Sequence, residues 1–160
     1  MGMTLLSVGT TVDFYFNIWT WRYLLALAKQ YGWEPLGTEG PREEFNGEYL
    51  SDDGWDGNYL SNAFQFVRSE DAKAMAEALE IALLDVCDSR KPEKHEINDM
   101  ISNDPIIKGM REFFRGKESD LEERFNQMVL TSPLAYFRDG GKETLIGFIN
   151  FCKKGGFVIC

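Results

Sequence analysis

The stretch from Asn58 to Asp88, NYLSNAFQFVRSEDAKAMAEALEIALLDVCD, constrains the fold more than any other part of the chain. From Ala72, the apolar residues Met75, Ala76, Leu79, Ala82, Leu83 and Val86 recur along one face of a 3.6-residue period, which predicts a helix with that face in the core. Lys73, Glu77 and Glu80 fall largely off that face. Ser69 is the expected N-cap, its hydroxyl accepting from a backbone N–H of the first turn. Glu70 and Asp71 follow, where the helix dipole favours negative charge. Just upstream, Phe64, Phe66 and Arg68 alternate with Gln65 and Val67, the period of a short strand. A strand feeding a long amphipathic helix requires a sheet for the strand and an apolar layer for the helix to bury against.

The preceding residues supply both. Thr4–Val8 and Thr11–Phe16 are rich in β-branched and aromatic residues, with Gly9 between them, and predict one or two strands. Asn17 is placed to cap a helix over Ile18–Tyr31, with Trp21, Leu24, Leu25 and Ala28 as its core stripe. Gly32 fits the left-handed position after a helix, Trp33 can fold back on the last turn, and Pro35 prevents resumption. Trp19 and Trp21 cannot share a stacking platform, since residues two apart face different sides of a helix; both are expected to pack in the interior.

Downstream, Asp104-Pro105 is a cap and first-turn pair opening a helix with Ile106, Ile107, Met110, Phe113 and Phe114 on one side, ending near Gly116. Ser119 opens a further candidate helix with Leu121, Phe125, Met128 and Val129 on one face. Thr131–Arg138, interrupted by Pro133, is expected to be a loop with a short extended piece. A last helix starts at Asp139 or Thr144, buries Leu145, Phe148, Ile149 and Cys152, carries Lys153 and Lys154 in its final turn and stops at Gly155-Gly156. Phe157–Ile159 then joins the sheet. The expected fold is α+β: a single domain over residues 1–160, with a small, mainly antiparallel or mixed sheet covered on one side by about four to five helices.

Charge narrows the functional classes. Seventeen basic and 26 acidic side chains give −9 at pH 7, with no basic patch to offset it, so nucleic acid is disfavoured as a partner; the charge fits either a basic protein partner or simply an acidic solvated surface. No apolar run approaches the roughly 18 residues of a membrane span. Arg22 is the first basic residue, so a secretory n-region is missing. Cys87, Cys152 and Cys160 form an odd, unclustered set suited to a reducing compartment. Cytoplasmic location is the expectation, by elimination.

The search for chemistry finds little. The lone His95 lies in a charged run, and a cysteine nucleophile would need it as base with nothing to bring the two together. Cys-x-x-Cys, phosphate-binding Gly-x-x-x-x-Gly-Lys and Gly-x-Ser-x-Gly patterns are missing. Gly37–Gly57 is the longest irregular stretch and holds five of the fifteen glycines. Its SDDGWDGN segment invites a calcium reading. With Asp52 first, Gly54 and Ala63 stand where an EF-hand needs its third-position ligand and its bidentate Glu, so that motif fails. Neither a cofactor nor a structural metal is expected. The segment reads as a turn with Trp55 either packed over a helix or part of a recognition loop; on the second reading Asp52, Asp53, Trp55, Asp56 and Tyr59 combine charge with aromatic anchors on a connection of functional length.

Four segments carry a resemblance. FNIWTWRYLLALAKQYGWEPLGT, WDGNYLSN, VRSEDAKAMAEALE and INFCKKGGFVI together resemble an uncharacterised family of small bacterial proteins with W-x-G-x-Y, S-x-x-D-A-x-x-M-A-x-A-L-E and F-C-x-x-G-G-F-x-I segments. The resemblance leaves out residues 89–132, which it implies are a variable insertion, and it implies no catalytic residue. Small acidic bacterial proteins of this general look include immunity and antitoxin partners. The leading expectation is thus a non-enzymatic binding domain, of the immunity type, for a basic protein. A small-ligand or carbohydrate-binding domain using Trp55 and Tyr59, and a hydrolase using a carboxylate pair from Asp52, Asp53 and Asp56, stand as alternatives.

Overall fold

Asn17 turns the N-terminal hairpin into the first helix. Its side chain accepts from the backbone N–H groups of Trp19 at 3.0 Å and Thr20 at 2.8 Å, ending strand β2 (Asp13–Asn17) and starting α1 (Ile18–Gln30). The computed structural model describes residues 2–40, 58–60, 62, 64–88, 105–115, 123 and 132–160. The remaining elements are β1 (Gly2–Ser7), β3 (Gln65–Val67), α2 (Ser69–Cys87), α3 (Pro105–Phe114), α4 (Pro133–Arg138), α5 (Lys142–Lys153) and β4 (Phe157–Ile159).

The strands form one antiparallel sheet in the order β2-β1-β4-β3, so the C-terminal strand fills the gap between the N-terminal hairpin and β3. Register follows the period of two. Met3 pairs with Phe16, Leu5 with both Phe14 and Ile159, and Val67 with Phe157, placing these side chains on one face. That face meets α1, α2, α4 and α5 in a single apolar core. Phe16, Trp21, Phe148 and Phe157 form an aromatic group at its centre, its pairs edge-on except for the tilted Phe16–Trp21 contact, with Trp21 and Phe148 centroids 5.8 Å apart at 83°. Helix α2 lies against α5 along its length, and Met75, Ala76, Leu79 and Ala82 are fully buried as their spacing predicts. The α+β class with an antiparallel sheet is the observed architecture.

Several local expectations shift. Arg68, not Ser69, is the N-cap of α2: the chain leaves β3 extended through Arg68, whose carbonyl already accepts from Ala72 N at 2.9 Å. Ser69 becomes the first helical residue and makes no cap bond. The piece read as a loop around Pro133 is helix α4. Ser132 caps it through Ala135 N at 3.1 Å, and Pro133 occupies the first turn, where its missing N–H costs nothing. Helix α5 starts at Lys142, between the two expected starts. Helix α3 forms where expected and Met110 packs on the core, yet Phe113 is largely exposed. The candidate helix from Ser119 and the surroundings of His95 lie outside the described residues.

Candidate functional site

The acidic segment is framed by two short stretches, Leu36–Glu39 before it and Asn58–Leu60 after it, and both are fastened to the same buried group. Asp71, in the first turn of α2, is completely buried. Its Oδ1 accepts from the indole Nε1 of Trp33 at 2.8 Å and from Leu36 N at 3.4 Å, and its Oδ2 accepts from the Tyr59 hydroxyl. Gly37 N donates to that hydroxyl at 2.8 Å. A second buried polar group, Gln65 of β3, repeats the arrangement: its Oε1 accepts from Thr38 Oγ1 at 2.5 Å and from Tyr59 N at 3.2 Å. Outside the hub, Glu39 and Phe66 exchange two backbone hydrogen bonds of 2.8 Å, adding one bridge to the free edge of β3. Arg68 donates to Leu36 O at 3.0 Å and stands 3.8 Å from the Glu39 carboxylate.

Local sequence explains why the hub closes. Gly32 ends α1 with φ +99°, and Trp33 N donates to Ala28 O while Gly32 N donates to Lys29 O, the paired bonds of a Schellman cap. This folds Trp33 back against the helix, buried, with its N–H aimed at Asp71 and its ring edge-on to Tyr59 at 5.2 Å. Tyr59 sits at φ +62°, where a bulky residue is held only when its surroundings over-determine it. Here its carbonyl accepts from Trp21 Nε1 at 2.9 Å, its N–H reaches Gln65 and its hydroxyl joins Asp71 and Gly37. Burial, and then the hydrogen bond to the Asp71 carboxylate, push the Tyr59 hydroxyl well above the ordinary tyrosine pKa.

Of the residues expected in a contact loop, Asp52, Asp53, Trp55 and Asp56 lie outside the described residues. Tyr59 is described and is corrected: it is only 3% exposed, with its polar atoms committed inside the domain, so it anchors the stem and offers no surface to a partner. Sequence reasoning missed the role of Asp71, read only as an acid that the helix dipole favours in the first turn. It also passed over Ile81 and Leu84, 56% and 72% exposed on the outer side of α2. Their signal was legible: both are apolar and both fall off the core stripe.

A separate cleft of about 470 Å³ is lined by Thr20, Tyr136, Asp139, Gly140, Gly141 and Thr144. Its floor is the 2.6 Å hydroxyl pair of Thr20 and Tyr136, and Tyr136 stacks on Tyr23 at 4.2 Å. Among the described residues, no group of three or more His, Cys, Asp or Glu side chains is arranged to hold a metal ion, and no helix is long and apolar enough to cross a membrane. No protein-family model, curated protein or solved structure matches the chain.

Proposed function

We propose that this chain is a non-enzymatic interaction domain of the immunity type that receives a basic protein partner through its acidic segment. The observation that carries the reading is the fastened stem: both ends of the segment are tied to Asp71 and Gln65 through buried hydrogen bonds. A contact loop gains affinity when its supports are set before binding, because less ordering entropy is lost on association. Residues 41–57 hold six acids against one base, a net −5 of the chain's −9. Charge of this density steers a basic partner and speeds encounter, and Trp55 supplies the aromatic anchor that a polar loop needs for a desolvated contact.

The test is a kinetic one. A partner captured at low salt on the tagged chain is expected to be basic. Asp52→Asn with Asp53→Asn should slow its association, with the difference shrinking as salt rises. Trp55→Ala should weaken binding by about 2 kcal/mol while the melting midpoint holds. A neutral or acidic partner, or an association rate indifferent to the two aspartates, would overturn the reading.

The hydroxyl-lined cleft at Thr20 and Tyr136 supports a second reading, a small polar ligand such as a sugar, held by hydroxyls and the Asp139 carboxylate. Sugar-dependent quenching of tyrosine fluorescence, lost in Tyr136→Phe, would favour it over the protein partner.

A further inference from the structure

Strand β2 ends the sheet with its backbone open. Hydrogen-bonded and non-bonded pairs alternate along an antiparallel ladder. Ser7 N donates to Val12 O, so in the β1–β2 register Phe14 and Phe16 also point their N–H and C=O groups at β1, while Asp13, Tyr15 and Asn17 point theirs outward. Strand β1 keeps the same phase: Thr4, opposite Tyr15, turns away from β2 and exchanges two 2.8 Å bonds with Cys160, just past β4. Among the described residues, no strand pairs with the outward row of β2. The Tyr15 ring lies over Gly2, back across the sheet, and leaves that row clear. At the opposite edge, both outward groups of Phe66, the middle residue of β3, are taken by Glu39. The described sheet therefore has one open edge.

We infer that the occupant of this edge is β2 of a second copy of the chain, running antiparallel with Tyr15 on the two-fold axis. The edge is complementary to itself in that register. Tyr15 faces Tyr15 and the two exchange a pair of backbone bonds, while at each end Asn17 N donates to Asp13 O of the other copy. The side chains at the ends match as well. Asn17 Oδ1 is held by the N–H groups of Trp19 and Thr20, which aims its amide nitrogen away from α1, and the facing Asp13 carboxylate accepts from it. Helix α5 overlies the same edge, since a Cβ at Gly147 would stand 3.2 Å from the Phe14 ring. Glu143, Ile146, Gly147, Asn150 and Lys154 follow one another at i, i+3, i+4, i+7 and i+11 and so share one side of α5; all but Gly147 are exposed, Ile146 by 43%. The axis through Tyr15 sets this side antiparallel to its own copy, with Glu143 of each chain facing Lys154 of the other and Ile146 covered. An unrelated strand would meet the same backbone row but would have to match both the acid–amide and the Glu–Lys spacing. With the β3 edge closed, pairing stops at two chains and gives a closed dimer, not a fibre. The surface is distinct from the acidic segment and requires no basic partner.

Light scattering behind a sizing column, over a dilution series, reads the oligomeric state, and amide hydrogen exchange followed by NMR reads the register. The full chain should elute at twice the mass of one copy and dissociate on dilution. In the dimer the Tyr15 and Asn17 amides should be protected and should lose protection on dilution. Those of Phe14 and Phe16, bonded to β1, should stay protected throughout. Tyr15→Pro deletes an outward N–H at an edge position, where proline is tolerated, and should give a monomer. The charge pair supplies a second variant at exposed positions, independent of the hairpin's own stability. Glu143→Lys sets cations together and should weaken the dimer about tenfold, and Glu143→Lys with Lys154→Glu should restore it. An unchanged far-ultraviolet circular dichroism spectrum checks that each variant is folded. A wild-type chain that is monomeric at the concentrations of an NMR sample would overturn the inference. A dimer that survives Tyr15→Pro would overturn it too, as would one whose Tyr15 and Asn17 amides exchange freely, since the copies would then meet elsewhere. A charge-swapped chain that pairs no better than Glu143→Lys alone would overturn the two-fold register. None of these outcomes bears on the basic-partner reading, which is tested through the acidic segment.

Discussion

Asp71 shows how much can hang on one side chain. Three donors converge on it, from Trp33 and Leu36 in the stretch after α1 and from Tyr59 ahead of β3. Removing the carboxylate strands those donors in the interior, where an unmet buried polar group costs about 1–3 kcal/mol. Asp71→Ala should therefore lower the unfolding free energy by at least about 3 kcal/mol, and Tyr59→Phe, which removes one of the three bonds, by about 1–3 kcal/mol. Urea titrations of the two variants check the order; an Asp71→Ala loss below that of Tyr59→Phe would mean that the hub is not what holds the stem. Little of this was legible in the sequence. Glu70 and Asp71 both sit in the first turn of a helix, and only the distant arrival of Trp33, 38 residues away, and Tyr59, 12 away, separates the buried acid from the exposed one.

Elements were easier to read where their signals are local. The Asn17 cap, the Gly32 stop and the apolar stripe of α2 each depend on residues within a turn or two, and each is found as read. Pro133 misled because a proline near a serine marks a helix start as readily as a break; the deciding feature is the Ser132 hydroxyl reaching Ala135 N. The place of β4 between β1 and β3 was not legible, since strand order depends on contacts across more than a hundred residues. Its packing leaves a precise mark at Gly156. A Cβ there would lie 2.6 Å from the Val67 carbonyl oxygen and 2.9 Å from the Phe66 ring, so β3 can approach only because the side chain is missing. Gly156→Ala should force the strands apart and cost about 1–3 kcal/mol, the range for overpacking a tight interior. A thermal melt of the variant checks this, and an unchanged midpoint would show that β3 yields freely.

Two tyrosines tie the stability of the whole molecule to alkaline pH. Tyr59 closes the stem, and Tyr31, at the end of α1, donates to Asp85 Oδ2 of α2 at 2.7 Å. Burial, and then the neighbouring carboxylate, hold both hydroxyls protonated beyond the ordinary range, with Tyr31 pushed up to about 12 and Tyr59 also raised. In the unfolded chain both ionise near pH 10. Above that pH the unfolded state has lost protons that the folded state keeps, so the unfolding free energy falls as pH rises. Below it both states hold the protons and the contribution is fully present. Because each bond joins different elements, this loss is one of α1 against α2 and of the stem against α2, not of a single turn. The contribution of these two tyrosines to the melting midpoint is thus expected to be flat from neutral pH to about 10 and to drop steadily from there toward 12, on top of an earlier fall from about pH 8.5, where the Cys152 and Cys160 thiols, kept protonated in the fold by burial, ionise in the unfolded chain. Tyr31→Phe should lower the midpoint at neutral pH and make the alkaline fall shallower, because one of the two linked protons is gone. Tyr59→Phe should do the same, and the two changes together should remove most of the slope that these groups cause. Melts followed by circular dichroism, with tyrosinate absorbance read in parallel, separate this from ionisation elsewhere: in the wild type, part of the absorbance rise should coincide with unfolding and not precede it. An alkaline slope identical in wild type and the double variant would show that neither hydrogen bond couples the layers.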